Sequence, residues 1–239
     1  MKYGEIVELG RHRLMCGDAT KSEDVHALVN GERVNLVLTD PPYGVNTNGN
    51  YNFTESFGLY GRKEKESYPI RYKKVIGDKS TSTARKAYEL MQTITDKIIL
   101  WGGNYFTDFL PPSKCWLVWY KHQSLWNHSD CELAYTNLKD HVRLYDQMWS
   151  GACRAGSHKL NPRPAIHPTQ KPVELHAHIL EDFSQEGDII LDCFGGSGTT
   201  LIASEITNRR CLMMEISPDY CDIIINRYKL LTEGAINFA

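Results

Sequence analysis

None of the chain's apolar runs approaches the roughly 18 residues a membrane-spanning helix needs. The first residues, Met1-Lys2-Tyr3-Gly4-Glu5, start no apolar stretch, so no secretory leader is expected. There is no Cys-x-x-Cys pair, although there are seven cysteines: Cys16, Cys115, Cys131, Cys153, Cys193, Cys211 and Cys221. An odd count, in a chain that is not small and with several members inside apolar runs, points to buried free thiols in a reducing cytoplasm. His122, His128 and Cys131 match no usual zinc spacing, and no metal is expected. Repeats and low-complexity tracts are missing as well. A strong excess of one charge is also missing: the net charge of −2 excludes a surface coated in basic groups but not a local basic groove.

What is present suits one compact domain, alone or with a lid. The chain has 239 residues, 41% of them hydrophobic, enough for a sizeable core. With 23% charged and 10% aromatic residues it does not read as disordered. His12–Cys16 reads as a short strand, and Ser22 is placed to cap a helix carrying Val25, Leu28 and Val29 and ended by Gly31. Residues 34–39 form an apolar strand running into Asp40. Residues 44–80 show no period, and a loop that long is usually functional. A helix over 83–94, strands over 97–101, 115–119 and 131–136, and an irregular stretch over 137–170 follow. The remainder alternates: helix 173–183, strand 188–193, helix 199–208, strand 210–215, and helix 218–231 with Pro218 in its first turn. Strands alternating with helices imply an α/β protein whose parallel sheet is covered on both faces.

Ile189-Ile190-Leu191-Asp192-Cys193-Phe194-Gly195-Gly196-Ser197-Gly198-Thr199-Thr200 is a buried strand, a glycine-rich turn and a helix start. At the carboxyl edge of a parallel sheet this makes a nucleoside crevice, and Glu215, at the end of the next strand, can bind ribose hydroxyls. The turn is neither Gly-x-Gly-x-x-Gly nor a Walker A loop, so neither a dinucleotide nor a nucleoside triphosphate is indicated. Asp40-Pro41-Pro42-Tyr43 ends the other buried strand. Two prolines remove two N–H donors and leave carbonyls free, Asp40 adds a carboxylate, and Tyr43 adds an aromatic face. That set suits a planar ring bearing an NH2 group, gripped by two acceptors and stacked on the tyrosine.

Positive charge collects in two places. Residues 61–86 hold nine basic side chains against three acidic ones. Arg154, Lys159, Arg163 and Lys171 form a second run with no acid between 154 and 171. Solvated loops and phosphate contact both fit this pattern.

Together these segments resemble the beta group of DNA amino methyltransferases, in which Asp-Pro-Pro-Tyr precedes the methyl-donor loop. Cys16-Gly17-Asp18 looks like that family's early Gly-Asp motif. His167-Pro168-Thr169-Gln170-Lys171-Pro172 looks like its donor-binding segment, and Asp192 through Thr200 like its main donor loop. The resemblance covers nearly the whole chain. It implies a Rossmann-like methyltransferase fold with a mostly parallel seven-stranded sheet, an antiparallel edge strand and a circularly permuted motif order. It implies S-adenosylmethionine, no metal, and DNA as partner in a prokaryotic or phage-infected cytoplasm, with or without a restriction endonuclease. A homodimer is compatible with it.

By the same resemblance, Asp40, Pro41, Pro42 and Tyr43 are catalytic: Asp40 and the Pro41 carbonyl hold the target amine, and Tyr43 stacks on a flipped base. Asp18, His167, Thr169, Lys171, Asp192, Phe194, Gly195, Gly196, Ser197, Thr199 and Glu215 line the methyl-donor pocket, with Lys171 facing the donor's carboxylate. The family's target-recognition region is compressed here to residues 137–166, so the loop over 44–80 is expected to share the work. Arg62, Lys63, Arg71, Lys73 and Lys74, with Tyr60 and Tyr72, are the candidates for DNA in that loop. Arg154, His158, Lys159 and Arg163 are those in the short region. Asp at position 40 favours N6 of adenine; the family tends to place Ser there for N4 of cytosine. Methylation of RNA or of a protein glutamine usually goes with Asn at that position and the donor loop first in sequence. A non-catalytic DNA-binding module that kept the fold is the reading from another class, and the intact Asp40 and glycine loop argue against it.

Overall fold

The computed structural model describes residues 1–46, 75–122, 129–150, 153, 154, 156, 160, 167 and 170–233. Eleven strands, five α-helices and one 3-10 turn occur among them. In chain order these are β1 (Ile6–Leu9), β2 (His12–Cys16), α1 (Ser22–Val29), β3 (Leu36–Thr39), α2 (Ser82–Ile94) and β4 (Ile98–Trp101), then the 3-10 turn Gly103–Tyr105. After it come β5 (Trp116–Tyr120), β6 (Cys131–Thr136), β7 (Arg143–Asp146), β8 (Trp149–Ser150), β9 (Cys153–Arg154), α3 (Val173–Phe183), β10 (Ile189–Asp192), α4 (Thr199–Ile206), β11 (Arg210–Glu215) and α5 (Pro218–Thr232).

The sheet runs β1-β2-β11-β10-β3-β4-β6-β5-β7, with β8 and β9 as a separate hairpin. Alternation along the strands builds two cores. Leu36 and Leu38 of β3, Ile99 and Trp101 of β4, and Cys211 and Met213 of β11 pack with α3, α4 and α5. Val37, Ile98, Leu100, Leu212 and Met214 point the other way, toward Val25 and Leu28 of α1 and Ala84, Ala87 and Met91 of α2. The period of two along each strand thus explains why the strands read as unbroken apolar runs: both faces are covered.

The mixed α/β sheet is as expected, but it has nine strands instead of seven. The antiparallel strand expected at an edge, β6, lies inside, between β4 and β5. A second antiparallel strand, β1, is added at the far edge through the tight turn at Gly10, where φ is 58°. The stretch expected to be irregular contains β7, which pairs in parallel with β5. Its edge pairing is made by main-chain bonds, while Leu144 stays 69% exposed, so the strand left little trace in the apolar pattern. Ser22 is the first residue of α1 and not its cap, and α1 ends on Asn30 in the left-handed region (φ 50°), one residue before the expected glycine.

β10 and β3 are parallel neighbours. The chain leaves β10 through α4, on one face of the sheet, and reaches β4 from β3 through α2, on the other. The carboxyl ends of β10 and β3 therefore open a crevice where the winding reverses, the usual place for a ligand in such sheets.

Candidate active site

Thr39, the last residue of β3, is fully buried and donates its hydroxyl to Asp192 Oδ1 at 2.7 Å, at the end of β10. The same oxygen accepts the backbone N–H of Phe194 at 3.0 Å. This latch ties the two loop-bearing strand ends together. Burial lifts the Asp192 carboxyl to about 6.

One residue beyond the latch, Asp40 is half-buried. Its Oδ1 accepts the Tyr43 hydroxyl at 2.7 Å and its Oδ2 accepts Lys171 Nζ at 2.6 Å. Lys171 also meets Glu132 Oε2 of β6 at 3.3 Å, and Lys121 donates to Glu132 Oε1 at 3.0 Å. Burial raises the Asp40 pKa against the opposing pull of Lys171. The Tyr43 ring stacks on Tyr105 with centroids 4.9 Å apart. Gly102 makes that stack fit: a Cβ there would lie 2.2 Å from the Tyr43 ring, and its φ is +73°.

On the β10 side, Gly195 is required by close approach, since a Cβ would lie 2.9 Å from Met213 Sδ. Both oxygens of Glu215, at the end of β11, accept backbone N–H groups: Gly196 at 2.7 Å and Ser217 at 2.8 Å. Burial lifts this carboxyl to about 7. His167 packs edge-on to Tyr220, and burial lowers it to about 4, leaving a neutral ring at neutral pH. Between the two strand ends lies an open cleft of about 870 Å³, counting its mouth. Asp40, Pro41, Pro42 and Tyr43 line one side of it; His167, Phe194, Gly196, Glu215, Ile216 and Tyr220 line the other. An adjoining hollow is lined by Asp18, Thr20, Phe194 and Glu215.

The family model described as DNA methylase, covering N6 and N4 enzymes, matches residues 76–226. The chain belongs to this family. The methylase is similar to the type II methyltransferase M.HpaI of Haemophilus parainfluenzae, 26% identical over 247 residues that span 90% of this chain and 73% of that protein. It is also similar to M2.MboI of Moraxella bovis, 23% identical over 83% of this chain and 82% of that protein. Among solved structures, the M1.HpyAVI–SAM complex matches with a TM-score of 0.56 at 18% identity, over 90% of this chain and 97% of that one. The cytosine-N4-specific PvuII DNA methyltransferase matches with a TM-score of 0.56 at 14% identity, over 98% and 97%. Both likenesses carry the fold. Membership makes the chain an S-adenosylmethionine-dependent amino methyltransferase of DNA.

In the methylase, Asp40, Pro41, Pro42, Tyr43, His167, Phe194, Gly196 and Glu215 line the cleft, and Asp18 lines the hollow beside it. Asp192, Ser197 and Thr199 are buried behind it and do not line it. Lys171, expected to face the methyl donor's carboxylate, reaches Asp40. Thr169, Arg62, Lys63, Arg71, Lys73, Lys74, Tyr60, Tyr72, His158, Lys159 and Arg163 lie outside the described residues, as does the Arg154 side chain. Arg154 itself pairs with Trp149 in the β8–β9 hairpin, in the short region expected to read DNA.

Four residues escaped sequence reasoning. Glu132 and Lys121 complete the charge network and carried no local motif. Buried Arg227 of α5 donates to the Ser197 carbonyl at 2.8 Å and the Leu160 carbonyl at 2.5 Å, bracing the glycine loop from behind. Asp78 Oδ1 accepts the Gly44 and Val45 N–H groups at 2.8 and 3.2 Å. In the sequence, the two ends of this contact bound a long aperiodic stretch.

Proposed function

We propose that this methylase transfers a methyl group from S-adenosylmethionine to N6 of adenine in DNA. The observation that carries the reading is the carboxylate of Asp40 at the lip of the cleft, next to two prolines that have no N–H to offer and facing Phe194 and Glu215 across it. The cleft fits the methyl donor. Glu215 spends one lone pair of each oxygen on a backbone N–H and keeps others for ribose hydroxyls, Phe194 offers a ring, and Gly196 lets the backbone come close. S-adenosylmethionine, when bound, supplies an electrophilic methyl group on a sulfonium.

The residues on the other wall prepare the nucleophile. An exocyclic amine is weakly nucleophilic because its lone pair is delocalised into the ring. Asp40 and the Pro41 carbonyl accept its two N–H bonds, favour a more tetrahedral nitrogen and aim the lone pair across the cleft. Tyr43 stacks on the base that has left the duplex. Positioning and electrostatics supply the rate. Val45 and Val75, which flank the basic stretch in sequence, both line the cleft, which supports a role for that stretch in gripping DNA phosphates.

The experiment is nucleoside mass spectrometry and modified-base sequencing of DNA from cells that express the chain. N6-methyladenine at a recurrent sequence is the expected result. N4-methylcytosine would move the assignment to the other base, and unmodified DNA would sink it.

A further inference from the structure

The contacts of Asp40 go beyond what an amine-gripping loop requires. Lys121, Glu132, Lys171 and Asp40 alternate in sign through a buried space, with Tyr43 as the last link. They come from the end of β5, from β6, from the segment before α3 and from the end of β3. The Lys171 side chain is only 4% exposed and lies 5.1 Å from the Trp101 ring centroid, closed off from water. A lysine serving only the methyl donor's carboxylate would need neither Glu132 nor a short bond to Asp40.

We infer that Lys171, anchored by Glu132, is a positioning residue for Asp40: it fixes the carboxylate through Oδ2 and keeps it charged, so that Oδ1 passes from the Tyr43 hydroxyl to the target amine. The inference rests on the proposed amino-methylation. A buried carboxylate without a cation takes up a proton, and it would then present a donor where the amine needs an acceptor. Burial pushes Asp40 up, Lys171 pushes it down, and Glu132 pushes it up again. The other groups facing the network are Asp192, Lys121 and the Tyr43 hydroxyl, with His167 and His176, which burial holds neutral at about 4 and about 3. Removing Lys171 and removing Glu132 should therefore move Asp40 in opposite directions, and a matching movement of the acid limb of kcat separates the positioning of a reacting carboxylate from a role confined to stability.

The test uses the full chain as wild type, Lys171→Met, Lys171→Arg and Glu132→Gln. kcat on unmethylated genomic DNA is followed against pH, S-adenosylmethionine affinity by calorimetry, and the Asp40 carboxyl by 13C NMR titration assigned with Asp40→Asn. Lys171→Met should lower kcat about 10²-fold, a size typical of losing one preorganised electrostatic contact. It should shift the acid limb to higher pH, and leave methyl-donor affinity within about twofold. Lys171→Arg should restore most of the rate, because it keeps the cation. Glu132→Gln should lower kcat about fivefold and shift the acid limb to lower pH. A large loss of methyl-donor affinity in Lys171→Met with an unmoved acid limb would overturn the inference, as would an Asp40 titration common to all four proteins. A wild type that transfers no methyl group to DNA would sink the proposed function instead, and the NMR titration would still decide whether Lys171 keeps Asp40 charged. If Lys171→Met does not fold, the arginine and glutamine variants carry the same comparison.

Discussion

Asp40 and Asp192 stand just past or at the carboxyl ends of neighbouring parallel strands, yet their surroundings give them different work. Asp192 is 3% exposed and receives the Thr39 hydroxyl and the Phe194 N–H, both from groups that form the scaffold. Asp40 lines the cleft and is held by Lys171 and Tyr43, whose side chains can yield an oxygen to a ligand. Neutral donors fixed in the backbone and in a strand make the first aspartate a latch. A cation and a hydroxyl at the cleft wall leave Asp40 facing the cleft, where the proposed function gives it the target amine. The same residue type at two strand ends thus differs in its partners and in its access to the cleft.

The contrast can be broken most directly at Asp40. Asp40→Ala should reduce methyl transfer about 10³-fold, in the range seen when a preorganised electrostatic contact is lost, while S-adenosylmethionine still binds. Single-turnover assays alongside calorimetry check both halves; wild-type turnover would remove Asp40 from the chemistry. Asp192→Ala should act on the fold, since it strands a buried hydroxyl and a buried N–H and costs about 2 kcal/mol of stability. Urea unfolding measures this, and a variant of unchanged stability would show that the latch contributes nothing.

Glu215 sharpens the comparison from the methyl-donor side. Its folded pKa is raised to about 7, so the carboxylate gains a proton as the pH falls through that value and then accepts fewer ribose hydroxyl bonds. Affinity for S-adenosylmethionine should weaken below about pH 7, by at most about tenfold per pH unit for one linked proton. Calorimetry at several pH values tests this, with Glu215→Gln expected to bind weakly and without the slope. The smallest effect is expected at Tyr105, whose ring backs Tyr43: Tyr105→Ala should cost about 1 kcal/mol of positioning, seen as a several-fold loss in kcat/KM with little change in melting temperature. A loss as large as that of Asp40→Ala would give Tyr105 a place in the site itself.

The two strand–loop corners were legible because each motif is contiguous and its chemistry is local. Two prolines after an aspartate declare their missing N–H groups, and glycines between a strand and a helix declare a close approach. β6, α3 and β11 fall on the expected residues because their apolar pattern runs their full length. β1 and β7 were missed because an edge strand is held by main-chain bonds that side-chain patterns do not report. Glu132 and Arg227 were missed for a related reason: each acts on a residue far away in the chain, Lys171 and Ser197, and nothing beside them in sequence hints at the partner.

By itself, the sequence determined that two strand ends carry loop motifs, that the Asp-Pro-Pro-Tyr one comes first, and that the family is that of the DNA amino methyltransferases. Those are properties of short contiguous segments. Only the tertiary structure decided that β3 and β10 lie side by side, that Asp192 is a latch, and that Lys171 answers to Asp40. The physical reason is that a charge is defined by its neighbours, and in a buried site those neighbours are chosen by the sheet order, not by the order of the chain.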